Sequence, residues 1–172
     1  TSVVGPPALV GGAIPGPAPL SFAQERLWFL DQVEPGSTAY VIPGAVELRG
    51  RLDVGAMEQA LSEIVRRHEP LRTTFASVDG RPVQVIAEAW PVSLPARDLG
   101  AGYTPEQLAN ILQEVARRGF DLEKGPLFQS VLYRLGTDHH VLLVCMHHIV
   151  SDGWSLGVLV QELMTLYRAF SQ

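Results

Sequence analysis

Residues 140–155 are HVLLVCMHHIVSDGWS, an apolar run closed by two histidines and an Asp-Gly pair. Val141 to Met146 are six apolar or weakly polar residues in a row, longer than the alternation of a half-exposed strand allows. Such a run suits a strand covered on both faces. Two adjacent histidines end it, and Asp152-Gly153 breaks the chain before a segment with Leu156, Leu159, Val160, Leu163 and Tyr167 at helical spacing. The pattern predicts a buried strand, a turn, and a helix from Trp154 to about Phe170.

Working outward, residues 127–135 form a second β-rich run joined to the first around Gly136-Thr137-Asp138. Thr104-Pro105-Glu106-Gln107 is a capping box with proline at the first helical position. The helix it opens carries Leu108, Ile111, Leu112 and Val115 inward and ends by Gly119. Residues 71–86 form a hairpin turning at Asp79-Gly80. Asp53 caps an amphipathic helix with Val54, Met57, Leu61, Ile64 and Val65 on one side, stopped by Pro70. Residues 39–50 read as an extended segment interrupted at Pro43-Gly44. Ser21 caps a first helix with Ala23, Leu27 and Leu30 as its stripe, and Trp28 and Phe29 read as core. Helices and strands are mixed, so the class is α/β or two-layer α+β with a largely antiparallel sheet and helices packed on it.

Residues 1–19 carry no charge and are crowded with Gly and Pro, which reads as an inter-domain linker. The remaining 20–172 are sufficient for one core. The chain starts at Thr1 without an initiator Met, as expected of a piece of a longer polypeptide. Hydrophobic residues make up 47% and charged residues 18%, a globular composition. The net charge of −5 argues against a nucleic-acid surface. No apolar run has the ~20 residues of a membrane span. One cysteine, Cys145, rules out an internal disulfide and fits a reducing, cytoplasmic compartment.

Three chemistries compete for the histidines. A metal site on His139, His140, His147, His148 and Asp152 is disfavoured: His140 and His148 are separated by roughly 26 Å if extended at ~3.3 Å per residue. Adjacent His147 and His148 point to opposite strand faces. Cys145 and His147 do share a face, so a thiol–imidazole pair is conceivable, although a Cys inside VLLVCM is more often a small core hydrophobe. The third reading places a single base, His148, at the strand end, where catalytic groups are often presented. Asp152 then fixes the loop by pairing with an arginine, Gly153 permits close approach of a ligand, and the helix N-terminus favours nearby negative charge.

HHIVSDG, residues 147–153, resembles the HHxxxDG signature of condensation domains in nonribosomal peptide synthetases. SFAQERLWFL (21–30) resembles that family's opening motif, RHEPLRTTF (67–75) its second, and FDLEKGPLFQSVLYRL (120–135) the stretch before the histidines. The resemblance implies the N-terminal one of two chloramphenicol-acetyltransferase-like lobes facing each other across a tunnel, with the C-terminal lobe absent. It implies amide formation between an upstream acyl or peptidyl thioester and a downstream aminoacyl thioester. His148 would position or deprotonate the amine, with His147 structural and Asp152 held by Arg67, Arg72 or an arginine of the other lobe. Gly153 would lie against the thioester, and Trp154 and Ser151 would line the tunnel.

The implied partners are upstream and downstream peptidyl carrier proteins, the second lobe and an adjacent adenylation domain. No GGxS-type attachment serine occurs, so 4′-phosphopantetheine arms should arrive on the carriers, with no cofactor bound directly. HHIVSDGWS and SFAQERLWFL look most like members accepting an L-configured donor. The lobe alone is expected to be inactive and to self-associate. The rival readings are a coenzyme A-dependent acyltransferase lobe and a non-catalytic carrier-docking platform.

Overall fold

A computed structural model of the chain describes residues 18–100 and 102–172. Among the described residues, seven strands and four helices run in chain order: β1 Ala18–Pro19, α1 Phe22–Val33, β2 Val41–Arg49, α2 Val54–Arg67, β3 Thr73–Val78, β4 Arg81–Ile86, β5 Ala96–Asp98, α3 Pro105–Ala116, β6 Phe128–Gly136, β7 His139–His147 and α4 Gly153–Phe170. Short 3-10 turns at Thr38–Tyr40 and Glu69–Arg72 lead into β2 and β3.

The main sheet has the order β2-β7-β6-β5 and the smaller one β1-β4-β3. All pairings are antiparallel except the parallel contact of β5 with β6. From His140 to His147 every residue of β7 is buried, because both faces of this strand are covered. Leu142, Val144 and Met146 pack with Met57, Leu61 and Ile64 of α2 and Leu159 and Leu163 of α4. Val141, Leu143 and Cys145 join Phe75, Leu127 and Tyr133 in a second core on the opposite face, flanked by Leu27 and Trp28 of α1 and Leu108 and Ile111 of α3. The alternation of β7 therefore separates two hydrophobic cores, with the histidines at its end.

Local chemistry explains most boundaries. The side chains of Asp53, Thr104 and Asp152 accept hydrogen bonds from first-turn amides of their helices. Asp79 and Gly80 both have positive φ, 51° and 76°, as a type I′ hairpin turn requires.

Three expectations are corrected. The linker reading of residues 1–17 falls outside the described residues, but Ala18 and Pro19 pair with Gln84 and Val83 as strand β1. Pro43-Gly44 does not interrupt its segment: β2 pairs with β7 in unbroken register from Val41 to Arg49. It is an edge strand, where a missing amide donor is tolerated, and Gly44 leaves room for Leu156, whose Cδ atoms lie 2.9 Å from where a Cβ would stand. Phe29 is not core; it is 61% exposed on the outer face of α1, whereas Trp28 packs inward.

Candidate functional site

β7 ends at His147, and its ring is buried at 2% exposure between Tyr40 and Phe120, whose ring centroids lie 6.3 and 6.2 Å away. His147 Nδ1 accepts the amide hydrogen of Ile149 at 3.1 Å, which puts the ring proton on Nε2 in the neutral form. Burial, helped by neighbouring His148, pushes the His147 pKa down to about 4. This imidazole is a neutral strut.

His148 is exposed and belongs to the turn after the strand. Its amide donates to the Tyr40 carbonyl at 2.8 Å, and the Val150 amide donates to the His147 carbonyl at 3.1 Å. The backbone of the turn is thus fixed while the His148 ring faces an open groove of about 560 Å³. Gln24, Leu27, Tyr40, Ser151 and Asp152 also line this groove. A ring free to meet a ligand on a backbone that cannot drift is the arrangement a base or an amine-holding group requires.

Asp152 is the N-cap of α4. Its Oδ1 accepts from the Ser155 amide at 2.8 Å and the Ser155 hydroxyl at 2.6 Å. Chiefly the hydroxyl, then the amide, hold its carboxyl below the usual range. Of the expected arginine partners, neither Arg67 nor Arg72 reaches Asp152, and an arginine of the other lobe remains the third expectation. Arg67 Nε donates to Glu63 Oε1 at 2.7 Å, and Arg72 donates to the Ala87 carbonyl and approaches Glu69 at 3.4 Å. Each arginine finds a carboxylate one turn back in its own segment, while Asp152 is drawn to the amides of the helix it starts. That carboxylate also offsets the positive helix end, so the α4 N-terminus offers less to a developing anion than the sequence suggested.

Gly153 is exposed, and a Cβ built there would meet nothing within 4 Å. Nothing in the described residues therefore demands glycine at this point, and the space beside it is open to a ligand. Ser151 is buried, and Trp154 is 84% exposed. Both border a small apolar cavity of about 180 Å³ with Leu71, Met146 and Leu159.

The competing chemistries separate in space. Cys145 is buried in the second core, and burial pushes its thiol up to about 11, far from a nucleophilic thiolate. His139 and His140 sit at the far end of β7, the first bonded to Glu47 at 2.7 Å and the second buried. Among the described residues no three His, Cys, Asp or Glu side chains converge as a metal would need.

Sequence reasoning missed three contributors. Tyr40 and Phe120 seat His147, which no local pattern reveals. Gln24 was legible in principle: Ser21 and Gln24 form a full capping box, S-x-x-Q. Its amide also reaches Gln84 Oε1 at 3.1 Å and the Ile149 carbonyl at 3.5 Å.

The profile described as "Condensation domain" matches residues 15–172. The chain is 46% identical over 160 residues to a component of the linear gramicidin synthase of Brevibacillus parabrevis, covering 91% of this chain and 2% of that protein. To a chondramide synthase of Chondromyces crocatus it is 47% identical over 156 residues, 89% of this chain and 4% of that one. Among solved structures it is similar to the X-domain in its complex with OxyB from teicoplanin biosynthesis. The TM-score there is 0.87 at 34% identity, covering 99% of this chain and 36% of that one. The first condensation domain of the CDA synthetase gives 0.82 at 26% identity, covering 92% and 41%. The chain thus spans a few per cent of these curated relatives' length. Helices on a mixed, mostly antiparallel sheet in a chloramphenicol-acetyltransferase-like lobe are what the sequence implied and what these structures share.

Proposed function

This chain belongs to the condensation-domain family, and from that premise we propose that residues 20–172 are the N-terminal lobe of a peptide-bond-forming domain in a nonribosomal peptide synthetase, with His148 as its working group. The observation that carries the reading is the asymmetry of the histidine pair: His147 buried and neutral, His148 exposed in the groove on a fixed turn.

The acceptor amine attacks the carbonyl of the donor thioester. The C–N bond forms, the C–S bond breaks, the carrier thiol leaves with a proton, and the amide remains on the acceptor carrier. His148 holds the amine by a hydrogen bond, takes the proton the nitrogen sheds and passes it on to the departing thiolate. Asp152 and Ser155 keep the start of α4 in place, and the open space at Gly153 admits the thioester. The substrates arrive on 4′-phosphopantetheine arms of upstream and downstream carrier proteins. The second lobe completes the tunnel, so this lobe alone is inactive and tends to self-associate. An adenylation domain alongside loads the acceptor.

The test uses the intact two-lobed domain with donor- and acceptor-loaded carriers, following the condensed product by intact mass. His148→Ala should lower the rate by about 10²- to 10⁴-fold, the usual worth of a positioned acid–base group. An unchanged rate sinks the proposal. Free acyl-coenzyme A working as well as the acyl carrier would point to the coenzyme A-dependent alternative. The likeness to an X-domain solved in complex with OxyB supports a second reading as a docking platform. That reading requires partner binding with no condensation in wild type.

A further inference from the structure

The turn that carries His148 is held from within β7 and also from the first helix. Gln24 Oε1 accepts the Ser21 amide hydrogen at 2.9 Å. Its Nε2 donates to Gln84 Oε1 at 3.1 Å and to the Ile149 carbonyl at 3.5 Å. Gln84 Nε2 in turn donates to the Pro19 carbonyl at 2.8 Å. Both ends of this chain are backbone groups of fixed polarity, a donor at Ser21 and an acceptor at Pro19. They dictate which way each carboxamide faces. Neither glutamine can flip without placing oxygen against oxygen or losing a bond.

We infer that Gln24 is a positioning residue for His148, acting by clamping the carbonyl of the next residue. Ile149 is held on both sides: its amide hydrogen by His147 Nδ1 at 3.1 Å and its carbonyl by Gln24. With the His148 amide on Tyr40, the three successive peptide groups from His147 to Val150 are anchored in turn by Tyr40, the buried His147 ring and Gln24. Gln24 also lines the groove into which His148 opens, so the clamp stands beside the reacting groups without bonding the His148 ring. This rests on the role given to His148 above.

Gln24→Glu isolates the effect. Glutamate keeps the capping box, since its carboxylate accepts the Ser21 amide as S-x-x-E boxes do, so α1 stays capped. It loses both donors and sets a carboxylate against the Ile149 carbonyl, which cannot turn away. A displacement of about 1 Å at a reacting group costs on the order of 100-fold in rate. Gln24→Glu should therefore lower kcat about 10- to 100-fold, with KM for both carriers within about twofold of wild type. Protonating the carboxyl restores one donor, so the deficit should shrink as pH falls, giving an acid-side recovery that the wild-type profile lacks. Gln24→Met, without donors or charge, should show the kcat loss without that recovery.

The experiment uses the intact domain and loaded carriers, with the melting midpoint of each variant measured alongside. His148 ring signals, assigned by comparison with His148→Ala, are followed by NMR in wild type and Gln24→Glu. Full kcat in both Gln24 variants while His148→Ala is inactive overturns the positioning role and leaves the function standing. An active His148→Ala overturns the function instead. The NMR comparison then decides the clamp: a shifted His148 signal in Gln24→Glu supports it, and an unmoved one sinks it. If Gln24→Glu melts early, Gln84→Met, which loosens the clamp from the other end, should reproduce the kcat loss at wild-type stability. Wild-type kcat in Gln84→Met would overturn the inference.

Discussion

Acidification should release His147 from its seat. Its ring has an ordinary pKa of 6.5 and is held near 4 by burial. The unfolded chain therefore binds a proton that the folded one refuses. Its neutral state is fully compatible with folding above pH 6.5, and stability is lost as pH falls from there toward 4. A gap of this size is worth about 3 kcal/mol once both values are passed, and about 2 kcal/mol at about pH 5. His140 is also buried, and desolvation lowers its pKa too, so the raw pH dependence of the domain is not that of one residue. His147→Asn separates them: its carboxamide oxygen keeps an acceptor for the Ile149 amide and does not titrate. Urea unfolding of the intact domain at about pH 7.5 and about pH 5 should show wild type losing about 2 kcal/mol more than His147→Asn over that interval. Parallel losses would refute the picture of a buried neutral strut, and with it the division of labour between the two histidines.

Other perturbations have equally direct outcomes. Gly119 has φ of 63°, and a Cβ there would lie 2.4 Å from the Gly36 carbonyl oxygen; Gly119→Ala should destabilise by at least about 2 kcal/mol and disturb the adjacent Phe120, read by denaturant midpoint. Asp152→Ala should lower the melting midpoint while Asp152→Asn largely preserves it, because asparagine caps a helix as well as aspartate; equal losses would argue for a charge partner rather than a cap. The Cys145 thiol, buried with its pKa near 11, should resist iodoacetamide in the folded domain and react readily in urea, whereas fast labelling of the folded form would reopen the thiol reading.

What the sequence displayed was whatever local chemistry determines. Asp79-Gly80 announced its hairpin because both residues must take positive φ, and they do. The stripe of α2 was legible because Met57, Leu61, Ile64 and Val65 all bury on one side. Strand β5 was not: Ala96–Asp98 is three exposed residues held by parallel pairing to β6, with no periodicity of its own. Pro43 looked like an interruption because a proline's neighbours cannot tell whether its strand lies at an edge. Arg67 and Arg72 looked available to Asp152 because the sequence does not show that a nearby carboxylate, Glu63 for Arg67, already holds the guanidinium. The candidate site was legible as a cluster of types, HHxxxDG, but the contact of Gln24 with Ile149 required knowing that α1 lies against the turn.

The burial of β7 explains why the exposed imidazole sits where it does. Both faces of the strand are covered, so a histidine within it is desolvated, and His140 and His147 both have lowered pKa values for that first reason. A base in such a strand would be close to the core but unable to take a proton near neutral pH. A base on a free loop would be solvated but poorly placed. Ending the strand at His147 resolves the conflict. The last buried residue uses its ring to hold the Ile149 amide, Tyr40 takes the His148 amide, and the next side chain emerges into the groove. The first histidine thus spends its basicity on the turn so that the second can stand in solvent on a fixed backbone. On this logic His147→Asn should retain far more rate than His147→Leu, since only asparagine preserves the acceptor that shapes the turn.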